Sequence, residues 1–295
     1  MEVHQLRYFA RLAELGSFTR AAEACHVSQP SLSQQIQKLE SELGRPLFER
    51  LGRRALLTES GRRLKPVADQ VLSLIDGARD LVNDDPEAAR LVVGAPPTVV
   101  PYFLAGVLDG FARAHPRARL EVVEDVTESI VSRLLEFELD LAVLPLPIDH
   151  AEFDVEPLFD EELLVLLPAG HRLADRPRVS IRDLQSEPFI LLHDAHCLSG
   201  NALSFCHQKR LQPIVTSRVS QLATIQELVS LGRGISLVPE MARRLDADPS
   251  RVYRSLSGAR PRRTIGLVRH ARRSPSLLAG RFSEALRAAG PRSGR

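Results

Sequence analysis

The chain is expected to be an α/β protein preceded by an all-α winged helix-turn-helix module and a long linker helix. Three observations lead there. Three short helical patterns fill residues 4–44, with a tight turn between the second and third. A single uninterrupted helical pattern then runs over 59–81. From Arg90 onward strand and helix patterns alternate, the signature of α/β sheets. The length of 295 residues supplies two domains with real cores.

The first helix is read from apolar residues at Leu6, Phe9, Ala10, Leu12 and Ala13, one face of a helical period. Ser17 is an N-cap for the second helix, FTRAAEACH, whose small residues suit tight packing and whose Cys25 is assigned to core. Val27-Ser28-Gln29-Pro30 turns into the third helix, with proline near its first turn. Leu32, Ile36, Leu39 and Leu43 form the buried stripe of that helix, and Gly44 ends it. Its outward positions carry Gln29, Pro30, Ser31, Ser33, Gln34 and Gln37, mostly short or amide side chains able to bond base edges. A solvated face would look the same. The adjoining segment favours nucleic acid: a strand-turn-strand pattern at Leu51-Gly52 is surrounded by Arg50, Arg53, Arg54, Arg62 and Arg63, groups suited to phosphates.

In the long helix Val67, Val71, Leu74, Ala78 and Leu81 recur at 4-3-4-3 spacing, the seam of a two-helix coil, so it is read as a dimerisation linker. The α/β region continues as RLVVGA, a helix near 101–114, LEVVED, a helix near 128–136, and DLAVLP. Then come ELLVLLP, PFILL, a cysteine-bearing segment, IVTSRVS, QLATIQELVSLG, GISLVP, TIGLVRH and a last helix from Pro275. Largely parallel strands in two sheets of about five each are expected, with a ligand cleft at the carboxyl ends of strands.

Composition is that of a soluble globular chain, 44% hydrophobic and 26% charged, with no tryptophan. Net charge is only +2, but residues 1–66 hold eleven Lys and Arg against seven Asp and Glu, so the basic end is the one expected to meet a polyanion. The N-terminus MEVHQLRYFA lacks a signal pattern, and the longest uncharged run, 91–108, contains Pro96, Pro97 and Pro101, which argue against a spanning helix. A cytoplasmic location is therefore expected, in which three cysteines are not a disulfide framework.

Two of those cysteines, Cys197 and Cys206, lie nine residues apart in a stretch that reads helical. On a helix that spacing separates them by about 13 Å and places them on opposite faces, whereas a disulfide needs Cα atoms within about 7 Å. Two buried structural thiols, or metal ligands together with His193, His196 and His207, are alternatives. The metal reading suffers from spacing that is not compact and from the lack of a second ligand cluster, so neither metal nor cofactor is expected. No G-x-S-x-G elbow is present for a hydrolase.

FTRAAEACHVSQPSLSQQIQKLESELGRPLFER at 18–50 resembles the winged helix-turn-helix of LysR-type transcriptional regulators, through the AA pair, VSQPSLS, QIQKLE and LGRPLFER. The resemblance implies a two-lobed α/β effector domain like periplasmic binding proteins. It implies the division 1–58 (DNA binding), 59–88 (linker) and 89–295 (regulation), with lobe I about 89–162 and 265–290 and lobe II about 163–264. DAHCLSGNALSFC, RRTIGLV, TVVPYFL, EPLFDEELL and CHVSQP are similar to the branch of that family that senses hydrogen peroxide. It implies Cys197 as the peroxide-reactive thiol, Cys206 as the resolving thiol, and support from His196, Thr98, Thr127 and Arg263. A homodimer or homotetramer on promoter DNA, contact with RNA polymerase, activation in oxidative stress, and no enzyme activity are implied as well. Gly200 departs from the pattern, because the branch carries an acidic residue three positions after the reactive cysteine.

In that light the thiol pair is read as a switch. Oxidation of Cys197 gives a sulfenic acid, and closing Cys206 onto it unwinds the helix between them. A thiol at a helix start beside a histidine has its ionisation favoured. Two other readings stand beside this one: the same architecture binding a small organic effector in the cleft with incidental cysteines, and a thiol peroxidase.

Overall fold

In the computed structural model the described residues are 1–51, 54–82, 89–193, 197–209, 211–258 and 260–290; within them the side chains at 50, 51, 73, 76, 77, 79–82, 197, 199, 201, 202 and 207, Arg50, Leu81 and Cys197 among them, are outside that description. Helix α1, Val3–Leu15, buries Leu6, Phe9, Ala10 and Leu12 and closes on Gly16 in the left-handed region at φ 61. Helix α2, Phe18–Ala24, is capped by Ser17, whose hydroxyl accepts from the Arg20 amide. Cys25, expected in the core, stands at the C-cap of α2, half-buried and packed against the edge of that core. Helix α3, Gln29–Leu43, starts with the Ser28 hydroxyl accepting from the Ser31 amide at 3.3 Å and ends at Gly44, φ 66.

Leu32, Ile36 and Leu39 are buried, but Leu43 is 41% exposed, because the last turn of α3 runs past the small core. Strands β1, Phe48–Leu51, and β2, Arg54–Leu57, form an antiparallel wing. Glu40 holds the wing to α3, its Oε1 accepting from the amides of Leu47 at 2.7 Å and Phe48 at 3.1 Å. Helix α4, Glu59–Val82, buries Ala68 and packs Leu64, Val71 and Leu72 on the same core.

The remainder contains β3, Arg90–Ala95; α5, Ala105–Ala114; β4, Arg119–Glu124; α6, Thr127–Leu135; β5, Leu141–Pro145; and β6, Phe153–Pro168. Next come β7, Arg178–Val179; β8, Pro188–Leu192; α7, Cys197–Gln208; β9, Ile214–Val219; α8, Leu222–Ser230; and β10, Ser236–Pro239. Helix α9, Glu240–Arg244; β11, Arg251–Leu256; β12, Arg262–His270; and α10, Leu277–Ala289, complete it. The main sheet runs β4-β3-β5-β12-β6-β11-β7, with β10 also on β6, and β8 pairs β9 beside it.

This corrects the expectation of two separate, largely parallel sheets. β3 is parallel to β4 and β5, and β8 to β9, but β12 is antiparallel to β5 and β6, as are β10 and β11 to β6. The 16 residues of β6 run through both lobes. Only its second half, ELLVLLP, has the apolar run of a buried strand; the first half alternates exposed Asp154 and Asp160 with buried Phe153 and Phe159, which hides its continuity. The architecture is two-lobed: one lobe is built on β3, β4, β5 and the first half of β6, the other on the second half of β6 with β7 to β11.

Candidate functional site

On α3 the structure brings the predicted base-reading residues to one surface: Gln29, Pro30, Ser31, Gln34 and Gln37 are exposed and Ser33 is half-buried. Arg54 is exposed at the start of β2, on the wing; Arg53 lies outside the described residues, and of Arg50 only the backbone is described. Two other arginines of the cluster are engaged locally. Arg62 donates to the Leu57 carbonyl at 2.8 Å, and Arg63 pairs with Glu59 one helical turn away.

Of the linker seam, Val67 is 53% and Leu74 48% exposed, Ala78 is exposed, and Val71 is half-buried against the module's own core. The helix therefore keeps one apolar edge for its own domain and presents another outward.

Helix α7 begins at Cys197 and carries Cys206 near its end, so the two residues sit on one continuous helix. His196 lies outside the described residues. Cys206 is 1% exposed among Phe189, Leu191, Leu211 and Leu237. Burial alone pushes its thiol up to about 11, which keeps it protonated at neutral pH. Near the other end of the helix, Leu198 packs instead with Ile190, Leu192 and Leu222. Because successive residues of β8 face opposite sides of a strand, α7 reaches one face with Leu198 and the other with Cys206.

Thr98 and Thr127 each lie just past the carboxyl end of one of two adjacent parallel strands, β3 and β4, and both are buried. A single turn of π-helix, Val100–Leu104, comes after Thr98, and Thr127 opens α6. Arg263, on β12 opposite Glu161 of β6, points its guanidinium at Thr98. Nε donates to Glu161 Oε1 at 2.7 Å, Nη1 to Thr98 Oγ1 at 3.1 Å, and Nη2 to the Thr98 carbonyl at 3.1 Å. Nη2 also faces Met241 Sδ at 3.8 Å, and the Met241 amide donates to the other oxygen of Glu161 at 3.1 Å. This pair is fully desolvated, with side chains 0% and 4% exposed, so Glu161 neutralises Arg263 and fixes its plane.

Glu161 and Met241 were given no role from the sequence. The signal for Glu161 was present, since FDEE and RR face each other once β6 and β12 are paired; Met241 joins only through the fold. Among the described residues there is no group of three or more metal-ligating side chains. No helix among them is long and apolar enough to cross a membrane.

A capped helix-turn-helix with a wing, a long helix and a two-lobed α/β domain define a DNA-binding transcription regulator. Residues 3–62 match the model of the bacterial regulatory helix-turn-helix proteins of the LysR family, and 84–291 match the LysR substrate binding domain. The chain belongs to the LysR family. It is 39% identical over 267 residues to a probable hydrogen peroxide-inducible genes activator of Mycobacterium avium, covering 89% of this chain and 86% of that one. It is 36% identical over 298 residues to the DNA-binding transcriptional dual regulator OxyR of Escherichia coli, covering 98% and 95%. A full-length OxyR variant from Pseudomonas aeruginosa superposes with a TM-score of 0.82 at 32% identity, covering 98% of this chain and 94% of that one.

Proposed function

We propose that this LysR-family chain is a DNA-binding transcription regulator that senses hydrogen peroxide through reversible oxidation of Cys197 and Cys206. The observation that carries the reading is the buried Thr98–Arg263–Glu161 cluster in a chain whose α7 separates the two cysteines. Such a cluster presents a hydroxyl and a guanidinium edge to a small polar oxidant in a site largely shielded from water. The resemblance to peroxide-responsive activators along nearly the whole chain supports it independently.

The first step forms an S–O bond between the Cys197 thiolate and one peroxide oxygen while the O–O bond breaks; the departing hydroxide takes a proton and leaves as water. Thr98, Thr127 and His196 hold the peroxide, and Arg263 stabilises the charge that moves onto the leaving oxygen. In the second step the Cys206 sulfur attacks the sulfenic sulfur, forming the S–S bond and expelling water. With its thiol pushed up to about 11 by burial, Cys206 is not suited to the first attack, and it becomes a resolving nucleophile only once it is out of that apolar surrounding. It has to leave its apolar pocket to do so, and α7 must unwind, since nine helical residues hold the Cα atoms about 13 Å apart. One peroxide is spent per disulfide, and the helix-turn-helix module gives that oxidation an output on DNA, so the chain is read as a signalling protein.

The DNA surface is α3 with Gln29, Pro30, Ser31, Ser33, Gln34 and Gln37, flanked by Arg50, Arg53 and Arg54 on the wing. The working division is 1–58 for DNA binding, 59–88 for dimerisation and 89–295 for sensing, with lobes meeting near 162 and 264. Val67, Leu74, Ala78 and Leu81 form the seam between two copies, with Val71 shared with the module's own core; the copies assemble as a homodimer or homotetramer in the cytoplasm and contact RNA polymerase.

The experiment is footprinting on promoter DNA before and after one equivalent of peroxide, with the Cys197→Ser chain alongside. The expected result is a footprint that changes for the native chain alone. A response to an organic effector in both chains, with none to peroxide, would make the cysteines bystanders.

A further inference from the structure

We infer that Met241 is a second oxidation site, a thioether that hydrogen peroxide converts to the sulfoxide at the same guanidinium edge that receives peroxide for Cys197. The inference rests on the peroxide-sensing reading and adds a modification site to it. Met241 is one of only two methionines in the chain. It is 5% exposed, yet it does not sit in a purely apolar pocket: its sulfur faces Arg263 Nη2 at 3.8 Å, and its amide is tied to Glu161. The side chain is thus held on two sides, and its sulfur shares one guanidinium with the Thr98 hydroxyl.

Arginine has five N–H donors. Here Nε donates to Glu161, Nη1 to the Thr98 hydroxyl, and Nη2 to the Thr98 carbonyl and towards the Met241 sulfur, so all three nitrogens are engaged and the hydroxyl stands beside the thioether. The Thr98 hydroxyl accepts from Arg263 and keeps its own proton for donation.

The step balances without a further reagent. A sulfur lone pair of Met241 forms the S–O bond as the O–O bond breaks, sulfur losing two electrons and peroxide gaining them. The proton on the attacked oxygen passes to the departing one, which leaves as water. The thioether needs no deprotonation, so this route is independent of the thiolate fraction of Cys197. A thioether is the weaker nucleophile, and the Arg263 contact occupies one of its lone pairs, so the site responds at higher peroxide than the thiols. The product has a consequence for the cluster. A sulfoxide oxygen accepts hydrogen bonds far better than a thioether. It competes with the Thr98 carbonyl for Nη2 and draws the guanidinium away from the peroxide-holding hydroxyl, which damps further sensing.

The second methionine supplies an internal control, since Met1 is 57% exposed. The full chain is treated with graded peroxide, quenched, digested and mapped for sulfoxide at both methionines and for the state of Cys197 and Cys206. A parallel series is run in denaturant. In the folded chain Met241 is expected to oxidise ~10-fold faster than Met1, the factor one hydrogen bond from the Thr98 hydroxyl to the leaving oxygen supplies. In denaturant the two rates should converge. If Met1 oxidises first in the folded chain, or if Met241 reacts only once unfolded, the inference is overturned. Oxidised thiols with an untouched Met241 would leave the sensor reading standing and remove this one. Sulfoxide at Met241 with both thiols still reduced would do the reverse.

Discussion

Helices α3 and α7 are similar in length, 15 and 12 residues, and are held in opposite ways. α3 has a serine cap, a proline in its first turn, a left-handed glycine at its end and three fully buried apolar residues one or two turns apart. α7 has Gly200 near its start, and its buried described residues are only Leu198 and Cys206, at opposite ends and in different clusters. Gly200 is exposed, and a Cβ there would meet nothing within 4 Å, so no packing demands a glycine. Glycine inside a helix costs about 1 kcal/mol relative to alanine. The contrast fits the two tasks proposed for them: a helix that reads DNA has to keep its shape, while one that carries two separated thiols to a disulfide has to be able to lose it.

The largest expected effect is on α3. Leu32→Ala should cost about 2–5 kcal/mol through the cavity it leaves, abolishing DNA binding while peroxide still oxidises Cys197 and Cys206. Denaturant melts combined with thiol counting would show this, and joint loss of both functions would break the separation between the helices. Next comes the reading surface. Gln34→Ala should remove about 1–3 kcal/mol of discrimination at one base position, whereas Arg54→Ala should weaken all sequences alike and lower the salt slope by roughly one. Binding isotherms on native and single-base-substituted operators at several salt concentrations separate the two.

Much of this comparison could be read in advance, and the reason is physical. The caps, stripe and terminal glycine of α3 are local, so residues 28–44 specify their own helix. The cysteine spacing was legible for the same reason. The polar cluster was only half legible, because Thr98, Glu161, Met241 and Arg263 come from four distant segments and meet only when β6 pairs with β12. Leu43 misled because helical period places a residue on a face but does not say where the core stops.

Smaller effects sharpen the account of α7. Gly200→Ala should stabilise the helix by about 1 kcal/mol and, if unwinding precedes the disulfide, slow its formation roughly fivefold. Stopped alkylation after a peroxide pulse measures that rate, and an unchanged rate would mean that the bond forms without prior unwinding. The burial of Cys206 predicts a pH dependence as well. Its thiol is raised from 9.0 to about 11, so the folded state holds that proton more tightly than the unfolded chain. Stability from this group is fully present below about pH 9 and declines as pH rises toward 11. Alkylation of Cys206 in the reduced chain should track the same rise, staying slow at neutral pH.

The central claim is that peroxide converts α7 from a helix separating two thiols into a segment that joins them. The direct measurement is hydrogen exchange across residues 197–209 and across α3, read on the same full-length sample before and after one equivalent of peroxide, with peptide mapping of the thiols. The account predicts a linked Cys197–Cys206 peptide, faster exchange over 197–209, and unchanged protection over the core of α3. A linked peptide with α7 still protected, or both thiols still free to alkylate after peroxide, would contradict it.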